Sequence, residues 1–546
     1  MDALIALVAL LIVAIVVVEI GNRTKLPWPA LLTVLAAGAL LIPGLPTIEI
    51  PSELILPIFL PPLLWALARR NSWAAIKIRI PMIISLSVLL VFVTVAVLTS
   101  ALLWLLPGIG IGAAMLLAAA LAPPDPVAVD AVAEPAGIPR RLVSTLHVEG
   151  LFNDAASIVA FHVALAAVLT QGDIDFGSGI LKFLWAALSA VVIGLLVGRA
   201  SAWAMNRISS VTARTSFNWV IPFAVYLGAE EIHSSGVIAI VIAAVEFSSR
   251  ASLGAEDRLA SHAFWEPVEM MFSAVAFGLI GLHVRDAIDA VGADLWSAVG
   301  IGVVLSLLAI AVRLAWFSQL LVRNKHRRRR HVERQRKREA TEAQADSVPD
   351  AERKYAVAAP VNWKEVILLT WSGMRGLVTL ALVLAIPANS FIYHHEAAVI
   401  ALVVLLMTMV VPGLLLPWLV SRLDLEHGSA AFEDHTREKL IMRAQAAARR
   451  EIQAHEPEVS EDILERTDRF IAQQFGSTTD FELEHDEAAQ SRLMQLRQTR
   501  KLQEYALIGV QKELVRTRNE RGIIPGYVDE ILETVDALIV ASHRAR

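Results

Sequence analysis

"HVEGLFNDAASIVAF", His147 to Phe161, is the stretch on which the reading of this chain turns. It lies in a run otherwise apolar enough to span a membrane, yet it carries Glu149, Asn153 and Asp154, with His162 just beyond. A carboxylate is costly at that depth, and an ionisable residue inside a span marks a functional site by default. The surrounding chain must therefore be shown to be membrane, and the charges must be given partners or a task.

The composition answers the first point. Of 546 residues, 56% are hydrophobic, and the mean hydropathy is +0.57, too apolar for a soluble chain of this length. Apolar runs of about 17 or more residues, enough to cross roughly 30 Å of hydrocarbon, recur near 3–20, 27–43, 52–68, 80–106, 110–133, 145–169, 180–205, 216–229, 232–249, 264–284, 295–322, 364–387 and 395–420. That predicts about thirteen transmembrane helices. The first run lacks a basic n-region and a small-residue cleavage pattern, so it reads as a retained span. Cysteine is absent, which excludes disulfides and thiolate metal sites.

Charge sorts the loops by side. Arg23/Lys25, Arg69/Arg70/Lys77/Arg79, Arg140/Arg141, Arg207/Arg214, Arg250/Arg258 and the run Arg323–Arg338 alternate with loops carrying Glu49, Asp173/Asp175, Glu230/Glu231 and Asp286/Asp289/Asp294. The positive-inside rule makes the first set cytoplasmic, with the N-terminus outside and the C-terminus inside. An odd number of spans requires the same arrangement. The basic run, read as a cytoplasmic loop over 323–362, faces anionic lipid and not nucleic acid. From Asp424 the chain turns polar, with apolar stripes at helical spacing, so 1–422 is read as the transmembrane domain and 423–546 as a cytoplasmic helical domain. The latter has no Gly-rich loop after a strand, which argues against a nucleotide-binding module.

Three spans break the apolar rule. In the fifth, "LLAAALAPPDPVAVDAV", Pro123, Pro124 and Pro126 surround Asp125 and must interrupt the helix. Broken backbone at that depth is tolerated where it lines a cavity. In the sixth, Glu149 and Asn153 lie four apart on one face, while Asp154 sits about 100° round, beside Ser157. In the twelfth, "LLTWSGMRGLVTLALVLAIP", Gly373 and Gly376 flank Arg375 and loosen the helix. Arg375, taken as the deep cation available, needs a carboxylate, and Glu149 is the preferred partner. Interrupted spans in corresponding positions of two halves point to a transporter site at the bilayer midplane.

The motifs "FLPPLLW", "DPVAV", "EGLFNDA", "EEIHSSGVIAIVIAA", "FWEPVEMMFSAVAFGLIGL" and "GMRGLVTLALVLAIP", in that order over residues 1–420, resemble the monovalent cation/proton antiporter family of bacterial and eukaryotic sodium/proton exchangers. The resemblance implies an all-α polytopic membrane protein with an inverted-repeat fold, two broken crossing helices, and a homodimeric assembly. It implies that Asp154 binds cation and proton, with Asn153 its neutral neighbour, Asp125 at the helix crossing, and Glu149–Arg375 the structural ion pair. Three positions depart from the family's pattern: Pro124 replaces a Thr, Gly150 a Ser, and Trp65, Ala66 and Leu67 stand where an acidic residue is frequent. Each change removes an oxygen from the cation, leaving backbone carbonyls, Ser157 or water.

The mechanism expected is exchange by competition. Monovalent hard cations want oxygen ligands, and burial with a second carboxylate nearby favours the protonated form of a carboxylate. A bare charge is stranded by the cost of crossing the midplane, whereas the protonated or cation-bound site crosses. With Asn153 neutral, one proton per cation is expected, so exchange of Na+ or Li+ for H+ is electroneutral; K+/H+ exchange stands beside it. No organic cofactor or resident metal is expected. A channel would show filter loops of repeated carbonyls, and no metal-ligand spacing or nucleophile elbow suggests an enzyme.

Overall fold

The structure is a computed structural model that describes residues 2–24, 26–39, 52–71, 73–125, 138, 140–150, 152–170, 176–232, 234–251, 254–339, 362–387, 390–423, 426–457, 459–476, 491–518 and 525–544. Every regular element among them is helical. The sequence of elements begins α1 (Asp2–Thr24), α2 (Trp28–Ala39), α3 (Ser52–Ala68), α4 (Trp73–Ile83), a π-helical turn, α5 (Leu90–Leu105) and α6 (Ile111–Leu121). It continues through α7 (Arg140–Gly150), α8 (Asn153–Thr170), α9 (Phe176–Met205), α10 (Val211–Glu230), α11 (Gly236–Arg250), α12 (Ala255–Val291) and α13 (Leu295–Glu339). Then come α14 (Trp363–Trp371), α15 (Leu377–Leu384), α16 (His394–Leu405) and, after a second π-helical turn, α17 (Val411–Leu423).

Among the described residues, four stretches, Ile80–Leu105, Trp185–Met205, Gly292–His326 and His394–Leu423, are by themselves long and apolar enough to cross a membrane. The sixth and twelfth spans are divided by breaks in the helix. The sixth span comes as two pieces, α7 ending at Gly150 and α8 starting at Asn153, so Glu149 and Asn153 belong to different helices and not to one face of a single helix. Helix α13 does not stop with its apolar run at Val322: the basic run begun at Arg323 continues as helix to Glu339. Residues 340–361 and Pro126 lie outside the described residues.

Small residues set the closest approach. On α9 a Cβ at Gly194 would lie 2.7 Å from Ala239 O, and one at Gly198 would lie 2.7 Å from Ala243 O, both on α11. This Gly-x-x-x-Gly spacing is what lets two membrane helices pack backbone to backbone. An apolar cluster joins Leu142 and Leu146 of α7, Phe317 and Leu321 of α13, Leu368 and Leu369 of α14, and Leu402 and Leu405 of α16. It holds in place the helices that carry the charges described below.

The chain divides into two compact units, residues 1–207, 216–251 and 265–425 forming the first. The second comprises Ile208–Thr215, Ser252–Phe264 and Glu426–Arg546. Its body is α18 (Glu426–His455), α19 (Glu461–Gly476), α20 (Ser491–Thr517) and α21 (Pro525–Arg544), packed around Ala448, Ile452, Ile471, Val510, Val528 and Val535.

Candidate functional site

The site is built from unsatisfied backbone. Helix α6 ends at Leu121, and Ala122 to Asp125 are non-helical. Pro123 and Pro124 have no N–H, so the carbonyls of Ala119 and Ala120 lose their helical donors. The Asp125 N–H, which would have served Leu121, donates to Met374 O at 2.6 Å. Side chains from other elements take up the carbonyls of the break. Ser157 Oγ donates to Ala119 O at 2.5 Å, Arg375 Nε to Leu121 O at 2.9 Å, and Asn153 Nδ2 to Pro124 O.

The twelfth span breaks opposite, with Ser372 to Gly376 between α14 and α15. Here the glycines make room more than they loosen the helix. A Cβ at Gly376 would coincide with the Asp125 carboxylate, and one at Gly373 would coincide with the Arg313 guanidinium. Gly376 is the N-cap of α15, so the Asp125 carboxylate rests at the positive end of that half-helix. Arg375, bonded to the last residue of α6, sits at the negative end of the other. Each such charge–dipole contact is worth about 0.3–1 kcal/mol, and up to about 2 when buried. The two broken spans thus brace each other reciprocally, which accounts for Asp125, Arg375, Gly376 and Pro124 together.

Glu149 does not take Arg375 as its salt-bridge partner. Both of its oxygens are held by Arg313 of α13, through Nη1 and through Nη2 at 2.7 Å. Arg313 Nε donates to Leu369 O at 2.9 Å, and its guanidinium lies 5.0 Å from the Phe317 ring centroid. The expected Glu149–Arg375 pair is therefore replaced by Glu149–Arg313. The physical reason is that Arg375 is occupied by the Leu121 and Gly373 carbonyls, while the fork of Arg313 matches a carboxylate bidentately. Arg313 was missed by sequence reasoning although its signal was present: it stands in the eleventh span, nine residues before its end at Val322.

Asp154 remains. It lies in the first turn of α8 and is buried, and its Oδ1 has no hydrogen-bond partner. Its amide donates to Asn153 Oδ1 at 2.7 Å, so Asn153 spends its amide oxygen on Asp154 and its amide nitrogen on the residue before Asp125. That one side chain ties the two aspartates' backbones together, and Asp125 is the charged neighbour acting on Asp154. Ser157, fully buried on the same helix, keeps its lone pairs free of the donation it makes. Beside these groups a cavity of about 10 Å³, room for about one water molecule, is lined by Thr94, Pro124, Arg313 and Arg375. No group of three or more His, Cys, Asp or Glu residues with metal-binding geometry occurs among the described residues.

Crossed half-helices with buried carboxylates are the architecture of an ion carrier, and comparison with known proteins agrees. The family profile "Sodium/hydrogen exchanger, transmembrane" matches residues 7–422. The chain belongs to the sodium/hydrogen exchanger family. It is accordingly an integral membrane antiporter and not an enzyme. An uncharacterized Na+/H+ exchanger of Mycobacterium tuberculosis is 27% identical over 429 residues, 76% of this chain and 74% of that protein. The Na+/H+ antiporter ApNhaP of Aphanothece halophytica is 25% identical, covering 78% and 74%. A sodium, potassium, lithium and rubidium/H+ antiporter of Bacillus pumilus is 28% identical, covering 69% and 55%. Among solved structures, the sodium proton antiporter MjNhaP1 of Methanocaldococcus jannaschii superposes with a TM-score of 0.57 at 17% identity, over 78% of this chain and 100% of that one. That likeness shows the exchanger's fold.

Proposed function

We propose that this exchanger swaps one Na+ or Li+ for one H+, with proton and cation competing for Asp154. The observation that carries the reading is the buried Asp154 Oδ1 without a hydrogen-bond partner, in a site where Glu149 and Arg375 are bound by neighbours. Among the described residues, five charged side chains are buried at the crossing: Glu149, Asp125 and Asp154 against Arg313 and Arg375. With all ionised, three negative charges face two positive, leaving one negative charge for one monovalent cation or one proton to cancel. Both loaded forms are then neutral as a cluster, and the empty form is held back by the cost of moving bare charge through the midplane. Rocking of the loaded core supplies alternating access, and the two forms carry no net charge across in a cycle.

The side of each loop follows the same reading, with about thirteen spans, the N-terminus outside and the C-terminus in the cytoplasm. Tyr393 Oη donates to Pro107 O at 2.9 Å, and Ser234 Oγ to Ala186 O at 3.2 Å, pairing segments expected outside. Arg70 meets Glu269 at 2.9 Å, and the Trp73 amide donates to Ser249 Oγ at 3.1 Å, pairing segments expected inside. Exposed Trp104 and Trp296 lie near outer span ends and Trp203 near an inner one, where tryptophan favours the membrane–water boundary. A homodimer in the cell membrane, with the basic end of α13 near anionic lipid, completes the proposal.

A second reading, K+/H+ exchange, is favoured by the wider cation range in the name of the Bacillus pumilus relative. Proteoliposomes carrying a pH dye and a voltage dye decide between them. The proposal expects proton flux on addition of Na+ or Li+ with no change in membrane potential. A potential generated by exchange overturns the one-for-one count, and flux with K+ alone overturns the sodium assignment.

A further inference from the structure

The proposed exchange cycle uses no residue of the C-terminal domain, yet that domain's compact unit includes two pieces of the transmembrane chain. Ile208–Thr215, which includes the start of α10, and Ser252–Phe264, which includes the start of α12, belong to its compact unit. Ala255 is part of its apolar core, with Leu440, Ala444, Val535 and Ile539. Arg258 reaches Asp536 of α21 bidentately, Nε at 2.5 Å and Nη2 at 2.6 Å, and Gln511 of α20 adds a third bond at 2.6 Å. Asp536 is 1% exposed.

Arg258 stands in the first turn of α12, where the helix dipole disfavours a cation and favours Glu256 and Asp257. Its presence there is explained by Asp536. Asp257 in turn pairs with Arg214 of α10 at 2.7 Å and accepts from the Gly254 amide, so the starts of α10 and α12 are tied to each other as well as to the domain. Both helices run on without interruption from the second unit into the first. There Trp219 of α10 packs on Trp265 and Phe272 of α12, and Asn218 of α10 accepts from Trp65 of α3 at 2.9 Å. None of these residues belongs to the charged crossing.

We propose that the C-terminal domain is a cytoplasmic anchor for α10 and α12, fastened by Arg258–Asp536, that stiffens the helices against which the ion-carrying core moves. The buried pair makes a sharp fastener, because removing one partner leaves the other charge buried and uncompensated. The anchor acts on the rate of exchange and leaves the ion site alone.

The test uses the full-length protein with Arg258→Asp, Asp536→Arg and the double charge swap, together with Arg258→Lys, which keeps the charge and loses the fork. The readouts are hydrogen exchange of residues 254–264 and Na+-driven proton flux in proteoliposomes. Each charge reversal is expected to deprotect 254–264 and to slow maximal exchange by about threefold or more at unchanged apparent KM for Na+. The swap is expected to restore both, and Arg258→Lys to fall between. Full protection in both reversals, or exchange that stays the same or rises when protection is lost, overturns the anchor. The flux arm rests on the exchange reading, whereas the protection arm does not: a wild-type protein that fails to exchange defeats the former and leaves the fastening to be decided by hydrogen exchange.

Discussion

Glu149 has two arginines within electrostatic reach, and a double-mutant cycle distinguishes which one it depends on. Replacing Arg313 by Gln strips both charge-assisted bonds from a carboxylate that is 2% exposed. Leaving a buried charge uncompensated in this way costs about 3–5 kcal/mol. Replacing Glu149 by Gln removes the other half at similar cost, and Arg313 keeps its bond to Leu369 O. In the double variant neither charge is stranded, so the two losses overlap. The coupling energy between Glu149 and Arg313 is therefore expected to be about 3 kcal/mol. The Glu149–Arg375 cycle is expected to yield less than about 1 kcal/mol, because Arg375 spends its donors on Leu121 and Gly373 carbonyls and feels Glu149 only at a distance. Reversible unfolding of purified protein in mixed micelles gives both cycles from the same measurements. A larger coupling for Glu149 with Arg375 than with Arg313 would refute the assignment.

Three further predictions follow from named contacts. Gly376→Ala places a methyl on the Asp125 carboxylate, so exchange should fall by about tenfold or more, equivalent to about 1.4 kcal/mol; normal flux would show that Asp125 does not rest there. Asn153→Ala leaves the Asp154 amide and Pro124 carbonyl unpaired, at about 1–3 kcal/mol each, and should lower the unfolding midpoint more than Ser157→Ala, which frees only Ala119 O. Arg449 bonds Asp468 and Glu461, and these partners hold its guanidinium above the usual arginine range; because it is a third exposed, Arg449→Ala should cost no more than about 1 kcal/mol, and a larger loss in the denaturation curve would contradict that.

The breaks were legible because proline acts locally, Pro123 and Pro124 removing donors whatever surrounds them, and because Gly373 and Gly376 mark the twelfth span, although the room they make for Arg313 and Asp125 was not legible. Depth was legible too, since a charge far from both ends of an apolar run has nowhere else to be. Pairing was not. Sequence gives the depth of Arg375 and Arg313 but not the rotation of their helices, and Arg313, flanked by "LLAIAV" and "LAWF", was hidden in a span that otherwise looked ordinary. The split of the sixth span between α7 and α8 escaped as well, because a single glycine such as Gly150 does not by itself end a helix. The membership of Ser252–Phe264 in the C-terminal unit depends on a surface assembled from segments almost 300 residues apart, such as Arg258 and Asp536, which no local pattern encodes.

Competition at Asp154 is tested most directly by the apparent KM for Na+ measured across a pH series in proteoliposomes, with Asp154→Asn alongside. As pH falls through the range where the site protonates, the account predicts a KM rising by up to about tenfold per unit at constant maximal rate, with one proton displacing one cation. It also predicts no Na+-driven proton flux in a folded Asp154→Asn protein. A KM that ignores pH, or flux that survives in Asp154→Asn, would contradict it.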